Sequence, residues 1–148
     1  GNFVRGNYIG LTLDAGGAVA ALGNNGPGIE ISESTTNEVG GSFAQRNLIA
    51  DNAEAGVAIS GAAASGNRVR SNYIGTNDFA SAALGTQDVG VLLELGARNN
   101  SLTGSQADPL VISGNTAFGV LMRGSGTTGN SLAGAYVGTT GDSRAAVA

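Results

Sequence analysis

Apolar residues recur along the chain in very short alternating runs. GIEIS at 28–32, GVAIS at 56–60, GVLLE at 90–94 and GVLMR at 119–123 share the form Gly-apolar-x-apolar. We call this stretch a. A second stretch, b, reads Asn-x-apolar, with Asn2/Val4, Asn37/Val39, Asn67/Val69, Asn100/Leu102 and Asn130/Leu132. A third, c, carries one apolar residue in register: Ile9, Ile49, Ile74, Ile112 and Val137. Alternation of period two is the signature of a strand, and no run of this chain has the 3.6-residue period of a helix. Gly and Asn at the ends of the runs read as tight turns. Gly16 to Leu22 is the one Ala-rich stretch with room for a helical turn.

The stretches repeat as a set. GNFVRGNYIG at 1–10 returns as GNRVRSNYIG at 66–75 and, more worn, as GNSLAGAYVG at 129–138. The steps are 65 and 63 residues, and each holds two smaller units of 28 to 34 residues. Loops alternate with the same double period. The step from b to c is 5 residues at Val4–Ile9 and 10 at Val39–Ile49. The step from c to the next a is 19 at Ile9–Gly28 and 7 at Ile49–Gly56. A unit with one apolar strip per strand cannot bury that strip alone, whereas stacked units bury a continuous column. The expected fold is therefore all-β: a single-stranded right-handed parallel β-helix (β-solenoid) of about four and a half three-strand coils, about 22 Å long at the spacing of neighbouring strands. Residues 1–148 form one segment of it, expected to belong to a longer repeat array and, if expressed alone, to self-associate end to end through its open strand edges.

Stacking assigns structural work to most polar repeats. Asn2, Asn37, Asn67, Asn100 and Asn130 fall at one corner and are expected to form an amide ladder. Gly28, Gly56, Gly90 and Gly119 open stretch a, where unusual backbone angles or close stacking favour glycine. Tyr8, Tyr73 and Tyr136 precede the inward Ile9, Ile74 and Val137 and so point outward. They read as a stripe that meets sugar rings or a partner, or as an outer apolar strip under a loop. Glu38 with Arg68, and Glu94 with Arg123, are expected as cross-strand ion pairs. Asp14, Asp78 and Asp142 fall in the long loops as turn formers.

Composition then removes whole classes of chemistry. Gly accounts for 26 of 148 residues, and Cys, His, Trp and Lys are absent. Zinc sites on Cys or His, Ser-His-Asp systems, disulfides and P-loop or Schiff-base lysines are excluded. A net charge of -4 and a pI near 4.5 argue against a nucleic-acid partner. No apolar run is long enough for a membrane-spanning helix. One acidic pair remains: Glu54 and Asp88, each two residues before a stretch-a glycine, fall on adjacent coils. Carboxylates that close suit a retaining glycosidase or a Ca²⁺ ion. No third acid aligns with them, since Gly26 and Ala117 hold the equivalent positions.

The order G-N-x-[VI]-x-x-N-Y-I-G-T, a loop, A-L-G, then G-[VI]-x-[IL] is carried best by 66–85 and 90–95. It resembles the right-handed parallel β-helix repeats of large bacterial secreted and surface proteins in the pectin-lyase-like superfamily. The resemblance covers essentially the whole chain through structural positions. It implies the fold, an extracellular or cell-surface location, and a polysaccharide or surface partner. Lyases of that superfamily use clustered Asp for calcium with Arg or Lys as base, and its hydrolases use an Asp trio on one sheet. Here the outward positions of stretch a are Glu30, Ala58, Leu92 and Leu121, then Ser32, Ser60, Glu94 and Arg123; they hold no such cluster, so no catalytic residue carries over. The expected function is a non-enzymatic structural or adhesive module, with a polysaccharide lyase or glycoside hydrolase fragment as the alternative.

Overall fold

A computed structural model describes residues 1–141 and 146–147; Asp142 lies outside the described residues. The described residues are all-β apart from one 3₁₀ turn at Phe43–Gln45. Sheet b is built from β1 (Phe3–Val4), β6 (Glu38–Gly40), β9 (Arg68–Arg70), β12 (Ser101–Thr103) and β15 (Ser131–Ala133). Sheet c contains β2 (Tyr8–Ile9), β7 (Leu48–Ile49), β10 (Tyr73–Ile74), β13 (Leu110–Ile112) and β16 (Ala135–Val137). Sheet a contains β5 (Ile29–Ser32), β8 (Ala55–Ser60), β11 (Val89–Glu94) and β14 (Phe118–Met122). A two-stranded hairpin, β3 (Leu11–Leu13) with β4 (Val19–Ala21), stands apart. The Ala-rich stretch is thus a strand of this hairpin, because Val19 and Ala21 pair with Leu13 and Leu11.

All pairings within sheets a, b and c are parallel, and the chain visits the sheets in the fixed rotation b, c, a. Each visit to the other two sheets supplies the crossover that a parallel pair requires. We number the successive b–c–a sets as levels one to five. Registers place like on like. In sheet b the column is Val4, Val39, Val69, Leu102, Leu132. In sheet c it is Ile9, Ile49, Ile74, Ile112, Val137. In sheet a, Ile31, Ile59, Leu93 and Met122 follow one another, as do Ile29, Val57, Val91 and Val120. Side chains from all three sheets meet in one apolar core, and its central members are fully buried.

The stretch-a glycines work by close approach. A Cβ on Gly56 would lie 2.6 Å from Ile74 Cγ2 and 2.8 Å from Gly90 O, and these glycines carry no positive φ. Gly75 is different: its φ is +83° and a Cβ would stand 2.3 Å from Ser113 O, so both space and backbone angle demand glycine.

The outer face of sheet c is covered. After Gly10 the hairpin β3–β4 closes with Leu22 N donating to Gly10 O at 3.0 Å. The same closure recurs two and four levels on, as Leu84 N to Gly75 O at 3.0 Å and Val147 N to Gly138 O at 3.1 Å. Beneath these loops a second apolar cluster gathers Leu48, Tyr73, Ala80 and Val111, with Leu11, Val19 and Tyr136 at its margin. Sheet b is bare outside, presenting Arg68, Arg70, Ser101 and Thr103.

Candidate functional site

Asn residues occupy the turn into sheet b at every level and form a continuous chain of amides. The backbone N–H of Asn2 and its Nδ2 both donate to Asn37 Oδ1, at 2.9 and 3.0 Å. The same paired donation runs from Asn37 to Asn67, from Asn67 to Asn100 and from Asn100 to Asn130, all at 2.9–3.0 Å. The second Nδ2 hydrogen of Asn67, Asn100 and Asn130 goes back to the carbonyl of Ser34, Ala64 and Ala97. Asn67 is fully buried with each of its polar atoms used. The low polarity around them strengthens such bonds and makes each one costly to lose.

Two further ladders lie at the entries to the other two sheets. Entering sheet c, Asn7 donates to Asn47, and Asn47 to Asn72, at 2.9–3.0 Å. Entering sheet a, Asn24 donates to Asn52, Asn52 to Gln87 and Gln87 to Asn115, at 2.7–3.0 Å. Sequence reasoning missed both. The signal for the first was present as Asn-Tyr-Ile, Asn-Leu-Ile and Asn-Tyr-Ile at one offset from the sheet-c anchor. The second was masked by Gln87, whose longer side chain fills an Asn position.

The remaining candidates are dispersed. Glu54 O accepts from Val89 N at 3.1 Å, which sets Glu54 and Asp88 on adjacent levels. The Asp88 carboxylate accepts from the Thr116 hydroxyl at 2.7 Å, and no third acid joins the pair. Among the described residues no group of three or more His, Cys, Asp or Glu is arranged to hold a metal ion. Glu94 and Arg123 form an ion pair at 2.7 Å. Glu38 is paired differently from expectation: Arg68 is its register neighbour, yet Glu38 Oε1 binds Arg5 at 2.7 Å. Arg5 also donates to Gly40 O, so its long side chain lies across level two and reaches the carboxylate first.

The three tyrosines part company. Tyr73 is only 7% exposed, packed edge-on against Phe43 at 6.4 Å between ring centroids. The Arg46 guanidinium lies 4.0 Å over the Phe43 ring and 5.1 Å over that of Tyr73. Burial raises the Tyr73 phenol above its ordinary value, and the Arg46 charge partly opposes the rise. Tyr73 is thus part of the covered strip and cannot stack on a ligand. Tyr136 is half-buried at the margin of the same cluster, whereas Tyr8 is 54% exposed.

Tyr8 lines a hollow of about 210 Å³ together with Asn7, Arg46, Leu48 and Asp78. Asp14 caps its hairpin by accepting from Gly16 N and Ala18 N, as a turn former should. Asp78 does not. In the tighter second hairpin Asn77 takes that part, accepting from Ser81 N at 2.9 Å, and the Asp78 carboxylate has no hydrogen bond or ion pair. No helix among the described residues is long and apolar enough to cross a membrane. No protein-family model, curated protein or solved structure matches this chain.

Proposed function

We propose that this chain is a structural rod: a right-handed parallel β-helix segment of an exported bacterial surface protein, similar to the pectin-lyase-like repeats, that spaces and presents its outer loops without catalysing a reaction. The observation that carries this reading is the set of three amide ladders. They run along the corners and link successive levels through side-chain bonds in addition to the sheets. Such cross-links resist shear between levels, the mechanical demand on a spacer. Dispersed ion pairs and loop-capping acids support the same reading, because catalysis needs acids or acid plus Arg to converge in one cleft. In the chain's rotation through sheets b, c and a we read a closed helical path, with right-handedness as the expected sense of parallel crossovers.

Two measurements test it. A crystal structure should show closed right-handed windings; an open stack of sheets ends the rod. Incubation with a panel of acidic and neutral polysaccharides should release neither uronides nor new reducing ends. Release that disappears in Glu54→Gln or Asp88→Asn rejects the non-catalytic reading.

A further inference from the structure

We propose that the bare outer face of sheet b binds an extended acidic segment of a partner protein, one with Asp or Glu at alternate positions. The proposal goes beyond the rod and does not rest on it. The chain carries a net charge of -4, yet its unpaired cations gather on and beside this face. Among the described arginines, Arg5 and Arg123 are held in ion pairs, and Arg46 is stacked on Phe43 and Tyr73. The guanidinium groups of Arg68, Arg70 and Arg98 have no acceptor among the described residues. Arg68 and Arg70 point outward from β9, the middle strand of the sheet, on either side of the buried Val69. Arg98 is exposed in the turn into β12, the next strand. The acids at this face are already engaged. Glu38 is paired with Arg5, and Asp108, which shares a hollow with Arg70, accepts from Phe43 N at 2.6 Å.

The register adds a hydroxyl to each guanidinium. Arg68 lies beside Ser101, and Arg70 beside Thr103, on the neighbouring strand, and neither hydroxyl has a hydrogen bond. Two equivalent donor pairs, each a guanidinium with a hydroxyl, therefore stand two residues apart along the strands, about 6.6 Å at the rise of a strand. Carboxylates at alternate positions of an extended peptide have the same spacing. A planar guanidinium receives a carboxylate through two parallel N–H bonds, which fixes the register of such a ligand. Around the pairs, Gly40 on β6 and Ser131 and Ala133 on β15 are small, so an extended chain lies flat across the strands. Charge selects the ligand's length. A long polyanion such as a nucleic acid meets the net negative charge of the rest of the chain, whereas a short acidic segment brings only the charges that this face neutralises.

The test is an amide-resolved NMR titration of the whole chain at low salt with capped synthetic peptides. One alternates Glu with Thr, one has the same composition with its Glu residues contiguous, and one has every Glu replaced by Gln. A single-stranded oligothymidylate and a polygalacturonate fragment serve as competing polyanions. The alternating peptide should shift the amides of Arg68 to Arg70 and Ser101 to Thr103, saturate in the millimolar range or below, and weaken as salt is added. Arg68→Gln and Arg70→Gln should each weaken it about three-fold or more, whereas Arg123→Gln, past the end of β14, should leave it unchanged. Both substituted side chains are exposed, so the amides away from β9 and β12 should keep their positions in these variants. Absence of shifts with the alternating peptide overturns the proposal. So does a shift that survives both substitutions, or equal binding of the contiguous peptide, the Gln peptide or either polyanion.

Discussion

Sheets b and c share one interior and differ outside. Both contribute a single stacked column to the core, and both carry an amide ladder at their strand entries, over five strands in sheet b and over β2, β7 and β10 in sheet c. Sheet b then meets solvent with Arg68, Arg70, Ser101 and Thr103, whereas sheet c lies under recurring hairpins that bury Leu48, Tyr73 and Val111 a second time. The interior pattern specifies the stack, and the loops decide what each face presents. Tyr73 lies under such a loop, whereas Tyr8 at the equivalent position is 54% exposed.

Substitutions can break this comparison in a ranked order. The largest effect belongs to the shared interior. Asn67→Ala removes the acceptor of two Asn37 donors and the donor to Ser34 O and Asn100 Oδ1, all in buried surroundings. Stability to urea should fall by about 4 kcal/mol, from several groups left without partners. Next comes the double covering of sheet c: Tyr73→Ala should cost about 3 kcal/mol, and Tyr8→Ala, at the equivalent but exposed position, under about 1 kcal/mol. Equal losses at the two sites would mean that the hairpins add no second core.

The same face should respond to alkali. The Tyr73 phenol has its proton affinity raised by burial, so the unfolded chain loses this proton first. Its contribution is complete below the ordinary tyrosine value near 10 and is lost as pH rises through the higher folded value. Comparing chemical denaturation across that window in the parent and Tyr73→Phe should show the extra fall only in the parent. Three smaller changes should stabilise. The Thr76 hydroxyl is buried without a partner, so Thr76→Val should gain about 1 kcal/mol. Glu33, Gly61, Leu95 and Gly124 all follow stretch a with positive φ. Leu95→Gly should gain up to about 1 kcal/mol, and Glu33→Gly less, because the Glu33 carboxylate accepts from Ala63 N at 2.7 Å. Thermal melts resolve all three.

How much of this was legible follows from what the chain repeats. The column Val4, Val39, Val69, Leu102, Leu132 could be aligned from sequence because a one-residue slip would turn each side chain to the wrong face. The five-rung ladder was legible because Asn recurs at a fixed offset. The covering hairpins were legible only at their closing A-L-G, at 21–23 and 83–85, since the rest of Leu11–Leu13 and Val19–Ala21 shares no pattern with the loop between Thr76 and Ala83. The Arg5–Glu38 pair was hidden for another reason: register places α-carbons, and a long guanidinium side chain reaches past them. The Tyr8 hollow was half legible. Tyr8 stood out, but Arg46 and Asp78 come from neighbouring levels and show no common spacing.

The alternating loops carry a consequence for how such a chain can grow. Removing or duplicating one level would set a long c-to-a loop where a short one belongs and misplace the hairpin that shields the tyrosine strip. A splice of two levels, about the 63 residues from Asn67 to Asn130, returns each sheet-b amide and each hairpin to a matching neighbour. The increment of length that keeps these contacts is therefore the pair of levels, and an engineered extension should be cut in that unit.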